Sequence, residues 1–194
     1  MFNDLEDEET YYYKSYQDTV FPIKDYYLTF RNCEFKNIDF NGKNLEKVDF
    51  KDCTFTNCDF RNANFSNNGL ISLSFIDCNL MGTDFSNSLI TNSKIINSNL
   101  SYSNFNGVKF NNFTFQTSNL LNSSFVEVKL IKVKFINCNM ENSEFYNTDL
   151  NNIKLNTCNI KNIKVSLNKI RGCSVNIAGA VDISLLLGIK IEEG

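Results

Sequence analysis

One periodicity limits what this chain can fold into: from Phe30 onward, every fifth residue is apolar. The register runs Phe30, Phe35, Phe40, Leu45 and Phe50, passes Leu100 and Phe105 without a slip, and ends at Ile170 and Val175, thirty positions in all. With 42% of the chain hydrophobic, thirty successive matches do not arise by chance. An amphipathic helix repeats about every 3.6 residues and a half-buried strand about every 2, so neither accounts for a period of five. A fixed short period belongs instead to stacked, solenoid-like architectures.

A second column lies two residues before each of these positions. It reads Cys33, Ile38, Lys43, Val48, Cys53, Cys58 and Ala63, and includes Ser88, Ser93, Ser98 and Ser103 on its way to Cys173. Most members are small or β-branched, and all seven Cys of the chain fall in it, which reads as reduced thiols used as small buried hydrophobes. Two inward residues out of five suit a narrow tube with large side chains at its centre and small ones along its wall. The second residue after each central one is Asn fifteen times and Gly four times. Those types tolerate φ > 0, as the third position of a type II turn demands, so the tube has corners. Three members stand out: Lys43 is charged, and Leu73 and Phe113 are oversized. Asn67-Asn68-Gly69 is the expected site of a distorted corner, and Asn122, Asn142 and Asn162 are expected to stack as an amide ladder.

In this pattern the chain resembles the pentapeptide-repeat family, whose repeat reads roughly A(D/N)LXX. Ala63-Asn64-Phe65, Ser103-Asn104-Phe105 and Thr148-Asp149-Leu150 carry the likeness. The resemblance implies an all-β, right-handed quadrilateral β-helix in which four repeats make one coil. Thirty repeats then give seven to eight coils and, at about 4.8 Å per coil, a rod about 36 Å long.

Three regions follow. Residues 1–27 form an acidic, Tyr-rich arm or cap, residues 28–177 the repeat β-helix, and residues 178–194 a short helix and tail that cap the rod or dimerise it. Asp182 or a neighbour is expected to cap that helix and Gly188 to end it. The tail SLLLGIKIEEG is similar to the terminus of the quinolone-resistance and microcin-immunity branches of the family. That likeness implies a two-fold interface made by Leu185, Leu186, Gly188, Ile189 and Ile191; the alternative is that these residues plug the end of a monomer.

Composition narrows the function. The chain has no His, the commonest general base and metal ligand, and carries no phosphate-binding loop or metal-ligand spacing. Neither an enzyme nor a cofactor is expected. The acidic start and the lack of a long apolar run point to a cytoplasmic protein without a membrane segment. Ile76, Ile96, Gln116 and Ile136 recur at multiples of twenty on one side, a candidate surface for a macromolecular partner. The family resemblance implies a second reading, imitation of duplex DNA toward DNA gyrase or topoisomerase IV. B-DNA carries a charge every ~1.7 Å, so a rod this long would need on the order of 20 negative charges. Residues 28–177 instead carry twelve acids and sixteen bases, a net +4. Direct nucleic-acid binding is the least favoured, since no dense basic stripe with stacking aromatics is visible in the sequence.

Overall fold

The computed structural model describes residue 2, residues 4–22 and residues 25–192. The period of five becomes a four-sided coil of twenty residues, with Phe30 beside Phe50, Phe55 beside Phe75 and Phe75 beside Ile95. About eight such turns make a β-helix whose strands are all parallel.

Two adjacent sides of the coil are regular strands. In chain order these are β1 (Glu9–Tyr12), β2 (Ser15–Val20), β3 (Leu28–Arg31), β4 (Glu34–Asp39), β5 (Val48–Lys51), β6 (Thr54–Thr56), β7 (Gly69–Ile71) and β8 (Ser74–Ile76). Then β9 (Leu89–Ile96), β10 (Lys109–Gln116) and β11 (Lys129–Ile136) each run across both sides. The side of β3, β5 and β7 is here called side one, and that of β4, β6 and β8 side two. Sides three and four are joined mostly by single bridges such as Asn79↔Asn99 and Asn64↔Asp84, with the short pair β12 (Glu144–Phe145) and β13 (Lys164–Val165) on side four.

The core is a set of ring columns. Phe65, Phe85, Phe105, Phe125 and Phe145 stack with centroid spacings of 5.2, 5.1, 4.7 and 4.6 Å, close to the ~4.8 Å separation of hydrogen-bonded strands. Backbone pairing and ring stacking therefore share one pitch. Rings on neighbouring sides meet edge to face, as Phe110 and Phe115 do at 5.6 Å and 75°. Each fully buried Phe contributes roughly 1.5–3 kcal/mol.

All fifteen corner Asn and all four corner Gly have φ between 51° and 82°. Gly82 and Gly107 also make room for a neighbour, since a Cβ on either would lie 2.5 Å from the amide oxygen of Asn62 or Asn87 one coil earlier. Six of the seven thiols are buried and Cys173 is half-buried, all of them free. Leu73 and Phe113 are buried. At the suspected corner Asn68 turns inward, and its amide donates to the Leu45 carbonyl at 2.8 Å. The expected ladder closes only between Asn142 and Asn162; a longer one joins Asn79, Asn99, Asn119, Asn139 and Asn159 on side three.

Coiling begins earlier than the period of five indicates. Tyr11 pairs with Phe30 and Tyr16 with Phe35, nineteen residues apart instead of twenty, so Glu9–Val20 adds strands to the rod within the stretch read as an arm or cap. Phe2 closes this end by stacking on Tyr16 at 4.4 Å. The missing residue falls between Phe21 and Phe30. There a cleft of about 330 Å³ opens among Pro22, Asp25, Tyr26 and Lys43, so half-buried Lys43 reaches water through this cleft.

Candidate interaction surface

Stacking brings the candidate stripe together in register: Ile76 lies beside Ile96, Ile96 beside Gln116 and Gln116 beside Ile136. The three Ile are half-buried, while Gln116 is exposed. Side one carries better-exposed apolar groups that the sequence reading passes over, Leu89 at 49% and Ile131 at 39%.

The charges on these two sides gather only through coiling. From the coil of Leu89 onward, sides one and two display Lys94, Lys109, Lys129, Lys132, Lys134, Lys154, Lys169 and Arg171 against a single acid, Asp149. Lys109 and Lys129 are direct neighbours in the ladder. Like charges facing each other across a ladder repel, and a bound anion would relieve that repulsion. None of the eight cations has an ion pair among the described residues; the four pairs found are Lys47–Asp25, Arg61–Asp59, Lys161–Glu141 and Lys164–Glu144. Over the same coils, sides three and four carry Glu127, Glu141 and Glu144 against Lys161 and Lys164. From the coil of Leu89 onward the rod is thus basic on one pair of sides and nearly neutral on the other.

At the C-terminal end α1 (Ile177–Leu186) closes the tube. Its N-cap is Asn176, whose side-chain oxygen accepts from the Gly179 N–H at 2.8 Å, so the expected cap Asp182 lies inside the helix. Gly179 is buried against Ile160 and Val175, where a Cβ would come within 2.8 Å of Ile160 Cδ1. Gly188, with φ 75°, ends the helix: its N–H donates to the Leu185 carbonyl and that of Ile189 to the Ser184 carbonyl, the double bond of a Schellman motif. Leu185, Leu186, Ile189 and Ile191 take no part in this plug and stand 41–55% exposed. Ile189 and Ile191 belong to no strand.

Among the described residues, no exposed acid or base carries a strongly shifted pKa. The large shifts fall on interior groups: the Cys78 thiol is raised by its hydrogen bond with Cys58 and by burial, burial alone pushes Cys173 up to about 11, and burial raises the Tyr16 hydroxyl. Among the described residues, no three His, Cys, Asp or Glu converge to hold a metal, and no buried side-chain N or O lacks a hydrogen-bond partner. No helix among the described residues is long and apolar enough to cross a membrane.

The family model for the pentapeptide repeat region matches residues 28–105, 48–125 and 89–165. Among solved structures the chain is similar to full-length QnrB1, a plasmid-mediated fluoroquinolone resistance protein, at 18% identity over 93% of this chain and 100% of that one, TM-score 0.40. It is also similar to HetL from the cyanobacterium Nostoc sp. strain PCC 7120, a pentapeptide repeat protein involved in heterocyst differentiation regulation, at 11% identity over 88% of this chain and 86% of that one, TM-score 0.40. Rfr23 from the cyanobacterium Cyanothece 51142 matches at 14% identity over 76% of this chain and 91% of that one, TM-score 0.31. A search of curated proteins gave no match.

Proposed function

Because the chain belongs to the pentapeptide-repeat family, and its interior is filled with its own side chains, we propose that it acts without catalysis, as a scaffold presenting sides one and two of the rod to a macromolecular partner. The observation that carries this reading is the joint placement, on the same two sides, of the Ile76–Ile96–Gln116–Ile136 stripe and eight cations that have no ion pair among the described residues. An apolar stripe bordered by unneutralised charge is suited to recognition, where apolar contact supplies affinity and charge supplies orientation. The partner is a protein, and the rod works as a homodimer through Leu185, Leu186, Gly188, Ile189 and Ile191. The exposure of the four apolar members of that set, beyond the helix face that plugs the tube, supports the dimer.

The DNA-mimic reading, with gyrase or topoisomerase IV as partner, requires an acidic side, whereas the most charged surface here is basic. A supercoiling assay with the purified protein separates the two. Under the scaffold reading any inhibition is weak, changes little with salt and is abolished by Ile96→Lys. Strong inhibition that survives Ile96→Lys and vanishes between low and moderate salt establishes the mimic instead.

A further inference from the structure

The ladder on sides one and two is interrupted once. From β9 through β10 to β11 the strands pair continuously, and in the last coils Leu150, Asn152 and Leu155 donate to the carbonyls of Lys169, Gly172 and Ser174. Between these stretches β11 pairs only with β10, and among the described residues no bridge or backbone hydrogen bond links it to residues 147–156. The flanks of the gap are closed, by Ser124↔Glu144 before it and Asn139↔Asn159 after it. The rod therefore opens as a wedge on two sides only.

Two clefts occupy the opening. One of about 370 Å³ lies beside Lys129, Leu130 and Asp149, and one of about 350 Å³ beside Lys134, Ile136 and Lys154. Leu130 marks the depth: of the central residues from Phe30 to Val165 it alone is not buried. The cause is legible in the packing. The inward column of side two, which starts with Cys33 and Cys53, carries Phe113, Val133 and Ile153 in three successive coils, and overfilling of this kind is relieved by moving backbone.

An unpaired edge is a template for another strand. This one lies among Lys129, Lys132, Lys134 and Lys154, all exposed and opposed locally only by Asp149 and Glu127. From Leu89 onward no aromatic side chain points outward on these sides, so a single-stranded nucleic acid would find no stacking platform. Ile131 and Ile136 beside the lysines favour a polypeptide with both acidic and apolar side chains.

We infer that the open edge of β11 is a docking slot for an extended acidic polypeptide segment, which adds as a strand to β11 and sets its carboxylates against these lysines. This deepens the scaffold reading and rests on it only for the choice of sides. The test uses the full chain and a fluorescein-labelled octapeptide of alternating Glu and Val. Anisotropy should report binding, and hydrogen exchange should show amides of 129–136 exchanging faster than those of 109–116 in the free protein and slowing when the peptide is added. N-methylation of alternate peptide residues should weaken binding at least about tenfold, because it removes strand pairing and keeps the charge. Lys129→Glu with Lys134→Glu should weaken it about as much with the melting curve unchanged. Ile96→Lys, in β9, should leave peptide binding intact even where it abolishes capture of the scaffold's partner. The slot is refuted by equal binding of the N-methylated peptide, by binding without protection of β11, by the absence of binding, or by β11 amides as protected as those of β10. A single-stranded oligonucleotide of equal charge that binds as tightly and competes would also overturn it and make this a nucleic-acid surface.

Discussion

Replacing Phe105 by Ala removes a ring from the middle of the aromatic column that runs from Phe65 to Phe145. Phe105 is fully buried, stacked on Phe85 at 5.1 Å and Phe125 at 4.7 Å, and touched edge-on by Phe115 at 5.7 Å. Truncating a buried Phe costs about 3–5 kcal/mol, including the cavity left behind. Some of that, roughly 0.5–1.5 kcal/mol per ring pair, is specific to the aromatic contacts. Leu fills the same column at Leu45, so Phe105→Leu should cost less than about 2 kcal/mol. Urea unfolding distinguishes the two: with a slope of about 1–3 kcal/mol per molar, the Ala variant should lose at least about 1 M in midpoint and the Leu variant clearly less. Because each coil touches only its neighbours, hydrogen exchange should accelerate around residues 80–130 and leave residues 28–60 near their original rates. Equal midpoints for the two variants, or a uniform loss of protection along the rod, would refute this account of the core.

Under native conditions a bulky thiol reagent should modify Cys173 first and the six buried thiols only on unfolding; rapid labelling of several would contradict the interior column. Since burial holds the folded Cys173 thiol near 11, above its ordinary value of 9.0, its contribution to stability is complete below pH 9 and is lost as pH rises toward 11. Cys173→Ser should flatten that alkaline decline in a melting series, and an unchanged slope would reject the assignment. Thr117 holds a corner at φ 49°, which a β-branched residue resists, so Thr117→Asn should stabilise by about 1 kcal/mol; a lower melting temperature would count against strain there. Leu185→Glu with Leu186→Glu should convert a micromolar dimer into a monomer by sedimentation velocity, whereas a monomeric unmodified protein would dismiss the two-fold interface.

The repeat body was legible in the sequence because its two inward columns and its corners obey one count that no insertion disturbs. The N-terminal strands were not, since one residue fewer between Phe21 and Phe30 moves Tyr11 and Tyr16 out of the count while leaving them in the stack. The helix cap was misplaced because Asn176 also sits in the repeat register, and only the docking of Gly179 on Ile160 fixes where the helix starts. At the candidate surface the stripe was readable, as every member recurs at a multiple of twenty. The basic sides were not, because Lys94, Lys109 and Lys169 share their place in the five-residue repeat with acids such as Asp84 and Glu144, and the two signs separate onto different sides only when the coils stack. The wedge beside β11 depends on three large residues in one column, a signal present at Phe113, Val133 and Ile153 but meaningless until side two is assembled.

The most direct test of the scaffold reading compares sides of the rod. A partner captured from cell extract on the unmodified protein and identified is retitrated against Leu89→Glu and Ile96→Lys on sides one and two, and against Leu121→Lys, half-buried on side three, with folding of each checked by circular dichroism. Loss of binding by at least about tenfold for the first two, with the third unchanged, is the predicted result. Retained binding by Leu89→Glu and Ile96→Lys, with loss for Leu121→Lys, would contradict it and move the interaction to the other side of the rod.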